Sequence, residues 1–86
     1  MRFMLRATWK QPPDEEIMAL LPAEEARAKE LTEQGIQEAL YIPADQSGAW
    51  AVWKCESQNE VREVAQTLPL YKFLNFDVTL LADEDQ

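Results

Sequence analysis

Apolar residues in this chain recur at every second position, then at helical spacing, then in two further alternating stretches, then at helical spacing again, and last in alternation. That order of periods constrains the fold most. Alternation places a buried face on a strand, whereas a period near 3.6 places one on a helix. From Arg2 to Lys10, Phe3, Leu5, Ala7 and Trp9 fall on one side and Met4, Arg6, Thr8 and Lys10 on the other, which predicts a strand ended by Pro12 and Pro13. Asp14, Glu15 and Glu16 supply an N-cap and an acidic first turn. The helix they open is expected to reach about Gln34, with Gly35 as its stop. Pro22 lies inside it and is expected to kink the helix or split it in two. Ile17, Leu21, Ala28 and Leu31 form its buried stripe, and Glu24 falls on the same stripe.

Ile36 to Pro43 predicts a second strand, with Ile36, Leu40 and Ile42 on one side and Ala39 and Tyr41 on the other. Residues Ala44 to Gly48 are turn formers and predict a hairpin loop. A third strand follows from Ala49 to Cys55, carrying Trp50, Val52 and Trp53. Ser57 and Glu60 match a capping box. Val61, Val64, Ala65 and Leu68 mark the inner stripe of a second helix that Pro69 ends. Leu70 to Leu74 reads as a short connection, and Asn75 to Ala82 as a fourth strand.

The order is βαββαβ, an α+β fold of the ferredoxin-like type. One domain is expected over residues 1–82, followed by an acidic, disordered tail at 83–86. Right-handed crossovers place both helices on one face of an antiparallel four-stranded sheet. The other face stays bare, with Met4, Val52 or Trp53, and Leu81 among the residues on it. A small domain with an apolar sheet face is expected to cover it with a partner. Two copies packed sheet to sheet would form a dimeric α+β barrel.

Charge and composition narrow the partners. A net charge of −8 with no basic stripe repels phosphate backbones, so nucleic acid is not an expected partner. No apolar run approaches the ~20 residues of a membrane-spanning helix, and the charged opening segment does not match a signal peptide. One cysteine and no histidine leave no disulfide framework within the chain and make a transition-metal site unexpected. A reducing cytoplasm is the simplest compartment for such a chain.

Several words of the sequence resemble the muconolactone Δ-isomerase family over nearly its whole length. They are Thr8, Lys10 and Pro12 in the opening strand, Glu24, Ala28, Leu31 and Gly35 in the helix, Leu40-Tyr41, and above all Leu68-Pro69-Leu70 followed by Tyr71 to Val78. The chain departs from the isomerases at Met4, where they carry a histidine. The resemblance implies a small oligomeric enzyme of aromatic-compound degradation, in dimers that pack into larger rings such as a decamer. It also implies a proton shift within an unsaturated lactone or carboxylic acid that needs no metal or organic cofactor.

The residues supply candidates for such chemistry. A carboxylate on an apolar stripe is desolvated, so Glu24 is the candidate base, unless it pairs with Arg27 or Arg6. Arg6 and Lys10 share a face of the first strand and are candidates to hold a substrate carboxylate, Arg6 alternatively pairing with Asp77 across subunits. Tyr41, Trp50 and Trp53 could wall a flat pocket, with the Tyr41 hydroxyl supporting an enolate, or could be cross-strand core. Cys55 has no activating partner and Ser57 serves as a cap. Two rival functions stand beside the isomerase: a cofactor-independent monooxygenase relying on the Trp and Tyr cluster, and a ligand-binding or accessory protein without catalysis.

Overall fold

Strand β1 (Arg2–Trp9) is central because its inward residues, Phe3, Leu5 and Ala7, are all buried and find apolar partners on both sides. It pairs antiparallel with β3 (Gly48–Lys54) and with β4 (Leu74–Leu80), while β2 (Gln37–Tyr41) adds to the far edge of β3. The sheet order is therefore β2-β3-β1-β4. Helix α1 (Glu15–Glu33) joins β1 to β2, and α2 (Gln58–Ala65) leads through a single 3₁₀ turn at Tyr71–Phe73 into β4. This computed structural model describes residues 1–82, so the acidic tail expected at 83–86 lies outside the described residues. The βαββαβ, ferredoxin-like order is as the periods require.

Local chemistry sets the element ends. The Asp14 carboxylate accepts from the Ile17 amide at 3.0 Å, and the Ser57 hydroxyl accepts from the Glu60 amide at 3.2 Å. Glu60 reaches back to the Glu56 amide at 3.1 Å, one residue before the cap, closing a slightly widened capping box. At the end of α1, Gly35 has φ +79, the Ile36 amide reaches the Leu31 carbonyl and the Gly35 amide the Thr32 carbonyl. That is a Schellman stop, and Ile36 packs on the core cluster that contains Leu31.

Of the two outcomes expected at Pro22, the split does not occur: α1 runs through it as one helix. The missing amide costs one intrahelical bond, but Pro22 is exposed, and buried Ile17 and Leu31 anchor the helix on either side.

Both helices pack on one face. Leu31 of α1 and Val61 and Ala65 of α2 share a cluster with Phe3, Leu5, Ala51 and Trp53. Ile17, Ala7, Leu70, Phe73 and Leu74 form a second cluster toward the other end. Among the described residues no helix or loop packs over the opposite face. The cross-strand row there is Tyr41, Trp50, Arg6 and Asp77, with Met4, Val52 and Thr79 beside it. Val52, not Trp53, belongs to this face, since Val52 pairs with Met4 and Trp53 with the inward Phe3.

Candidate active site

The inward face of the two central strands carries unusually small side chains. Ala7, Ala49 and Ala51 lie there beside Gly48, and α1 crosses above them with Leu21, Glu24 and Ala28. These small residues leave a cavity of about 360 Å³ between helix and sheet, large enough for a single-ring ligand. Trp9 and Trp53, Leu40 and Ile42, and Leu68 and Leu70 complete much of its wall. Gly48 cannot be larger. A Cβ there would sit 1.8 Å from the Ala7 carbonyl oxygen, and its φ is +155.

Three polar side chains without an indole line the cavity: Glu24, Glu25 and Gln37. Glu24 is half-buried, and its Oε1 accepts from the Leu70 amide at 3.0 Å. Burial raises its pKa above the ordinary 4.5, and the Leu70 N–H pulls the other way. Among the described residues no cation pairs with it. Arg27, the neighbour on its own helix, instead donates to the Thr67 hydroxyl at 3.0 Å and approaches Glu30. The Leu-Pro-Leu turn therefore does two things at once. Its last amide fixes the carboxylate, and its two leucines wall the cavity.

Gln37 is buried and accepts the indole N–H of Trp53 at 3.0 Å. Its amide nitrogen donates to the Thr32 hydroxyl at 3.4 Å, leaving a second N–H uncommitted among the described contacts. The Trp9 indole is held by the Gln46 carbonyl at 3.1 Å. Changing Trp53 to Phe is expected to cost about 2–4 kcal/mol, through lost volume and an orphaned Gln37 oxygen. The double change Trp53→Phe with Gln37→Leu should recover part of that loss in urea unfolding, since both polar partners are then gone. No group of three or more His, Cys, Asp or Glu side chains suited to a metal is found among the described residues.

Comparison with known proteins accords with this architecture. The family model for muconolactone delta-isomerase matches residues 1–86. The chain belongs to the muconolactone delta-isomerase family. A crystal structure of muconolactone isomerase superposes with a TM-score of 0.83 at 23% identity, covering 98% of this chain and 91% of that one. The 5-chloro-2-hydroxyhydroquinone dehydrochlorinase of Burkholderia phenoliruptrix AC1100, in complex with 2,5-dihydroxybenzoquinone, gives 0.79 at 13% identity, covering 99% and 97%. No curated protein matches in a sequence comparison.

In this member of the muconolactone delta-isomerase family, the six residues expected to form one site are divided among three places. Glu24 and Trp53 line the cavity. Tyr41, Trp50 and Arg6 lie on the uncovered sheet face, with the Arg6 guanidinium 5.0 Å from the Trp50 ring centre and Tyr41 64% exposed. Lys10 lines a separate recess with Arg62, Gln58, Gln66 and Asn75. Met4, the departure from the isomerases, is also on the sheet's uncovered face. Gln37 was missed because simple alternation places it with Ala39 and Tyr41. A register shift between Gln37 and Ala39 turns it toward the helices instead.

Proposed function

We propose that this chain is an isomerase that moves a proton within a small unsaturated lactone bound in the cavity beneath α1. The observation that carries this reading is a half-buried carboxylate, free of any cationic partner among the described residues, on the wall of an otherwise apolar, ring-sized cavity. Family membership supports it, and so does the fold shared with the two solved enzymes.

In this reading the Glu24 carboxylate takes the proton from the carbon beside the lactone carbonyl. The C–H electron pair delocalises over the carbonyl and the adjacent double bond as a dienolate. Glu24, now a carboxylic acid, returns the proton to the carbon at the far end of the allylic system, two bonds away. The double bond shifts, and the carboxylate is restored. No electrons leave the substrate, so the step needs no redox partner. The uncommitted Gln37 N–H serves the enolate oxygen, the role that the sequence alone suggested for Tyr41. The apolar walls exclude water that would otherwise level the base.

The monooxygenase alternative relied on the Trp and Tyr cluster, but Tyr41 and Trp50 lie on the sheet face away from the cavity. The half-buried Glu24 carboxylate on the cavity wall favours the isomerase over that reading and over an accessory protein without a pocket. The test is isomerisation with proton exchange: the chain with an unsaturated five-membered lactone in D2O should shift the double bond and place deuterium at the two end carbons of the allylic system, to the extent that the proton held by Glu24 exchanges with solvent. Absence of both exchange and isomerisation across a lactone panel would overturn the reading.

Self-association belongs to the same proposal. The uncovered face carries Trp50, Tyr41 and Met4 around Arg6, and a second copy of this chain suits it. A homodimer, with larger rings built from it, is therefore proposed, in a cytoplasm where the buried thiol of Cys55 stays reduced. Sedimentation at micromolar concentration should show at least a dimer for the natural chain and a monomer for Trp50→Glu. A natural chain that sediments as a monomer would contradict it.

A further inference from the structure

We infer that Trp53 is a positioning residue for the isomerisation: its indole N–H fixes which end of the Gln37 side-chain amide faces the cavity, and so makes Gln37 a donor there instead of an acceptor. This rests on the reading of the cavity as the substrate site and of Gln37 as the donor to the enolate oxygen.

Gln37 is the one buried polar side chain among the described residues. It stands directly across the β2–β3 pair from Trp53, beside the register shift that turns it inward. An amide presents an oxygen and an NH2 group of nearly equal size, so shape alone does not choose between its two orientations. The neighbours choose by polarity. Trp53 Nε1 can only donate, and it reaches Gln37 Oε1 at 3.0 Å. That contact puts Nε2 on the other side, where it donates to Thr32 Oγ1 at 3.4 Å. The Thr32 hydroxyl in turn donates to the Ala28 carbonyl at 3.1 Å.

Thr32 does not set the direction by itself. Its hydroxyl can accept from an N–H or donate to a carbonyl, it is exposed, and its contact is the longer of the two. The indole fits one orientation only, and Trp53 is 3% exposed, which shields the contact from competing water. With the amide so turned, the N–H not given to Thr32 is left for the cavity that Gln37 lines. Turned over, the amide would aim a carbonyl lone pair at the enolate oxygen. That repulsion grows as charge develops on the substrate, so it acts on the transition state more than on the bound lactone.

The test removes one N–H and keeps the ring. A chain of 86 residues with a single cysteine can be joined chemically at the Lys54–Cys55 bond. That route allows the Trp53 indole to be replaced by benzothiophene and nitrogen-15 to be placed in the Gln37 side chain. The replacement is expected to lower kcat for lactone isomerisation about 10- to 100-fold with little change in KM. In a Gln37→Leu background it should lower kcat no further, because Trp53 acts through Gln37. A purely structural wall would lower kcat equally in both backgrounds. Without any ligand, the Gln37 side-chain N–H signals should show contact with the Thr32 methyl in the natural chain and with the aromatic ring after replacement.

Unchanged kcat, an equal loss in the Gln37→Leu background, or amide signals that keep their Thr32 contact after replacement would overturn the inference and leave the isomerase reading standing. Failure of the natural chain to isomerise any lactone of the panel would remove that reading and this inference with it.

Discussion

Replacing Glu24 with glutamine is expected to lower kcat for lactone isomerisation by about 10²–10⁴-fold while the fold is retained. The reason is specific to this position. Glutamine keeps an oxygen that can accept from the Leu70 amide, now at 3.0 Å from the carboxylate, so the contact between α1 and the Leu-Pro-Leu turn survives. What is lost is the titratable proton. Burial of Glu24 raises its pKa above 4.5, so activity carried by the ionised form should show an acid limb above that value, and the limb should be absent from residual Glu24→Gln activity.

Stability should move in the opposite sense. A carboxyl whose folded pKa is raised binds its proton more readily in the native than in the unfolded chain. Its contribution is fully present below 4.5 and is lost as the pH rises through the folded value. The natural chain should therefore gain stability relative to Glu24→Gln on acidification through that window, and Glu24→Gln should be at least as stable at neutral pH. Urea unfolding of both chains at several pH values checks the sign. A folded Glu24→Gln protein with unchanged kcat would remove Glu24 from the chemistry.

Gly48→Ala is expected to destabilise the domain by about 3 kcal/mol, lowering Tm by about 12–24 °C for a domain of this size. The added methyl would stand 1.8 Å from the Ala7 carbonyl oxygen and 2.8 Å from its carbon, both backbone atoms of the central strand. A flexible side chain could swing away from such an overlap. A strand paired on both sides cannot. The positive φ of Gly48 adds strain of its own. Because Gly48 also lines the cavity beside Ala49, relief by parting β1 from β3 would distort the floor on which a ligand rests. Calorimetry of the natural chain and Gly48→Ala measures the effect, and a Tm change within about 3 °C would show that the strands separate there at little cost.

The elements were legible wherever one local rule governed them. The alternation of Phe3, Leu5 and Ala7, the caps at Asp14 and Ser57, and the Gly35 stop each depend on a few neighbouring residues, and each appears in the structure. Glu24 was legible for a similar reason, since its place on the stripe of Ile17, Leu21, Ala28 and Leu31 turns it inward.

The rest of the site depended on relations that single-strand patterns do not carry. Trp50 and Trp53 are separated by an odd number of positions along β3, so one strand places them on opposite faces, and a pocket using both is geometrically closed off. Gln37 became inward only through the register shift with β3, a pairing irregularity that the β2 sequence does not announce. Lys10 lies just beyond β1, where the Phe73 carbonyl takes its amide, so strand alternation no longer sets its direction. The cavity itself comes from three alanines and a glycine meeting across two strands, a coincidence of small volumes visible only once the register is known.

The most direct measurement is a carbon-13 NMR titration of the Glu24 side-chain carboxyl, with and without a saturating lactone. The account predicts a midpoint above 4.5 in the free protein and a clear change in shift and midpoint when the ligand occupies the cavity. A midpoint at or below 4.5 that ignores the ligand would contradict it.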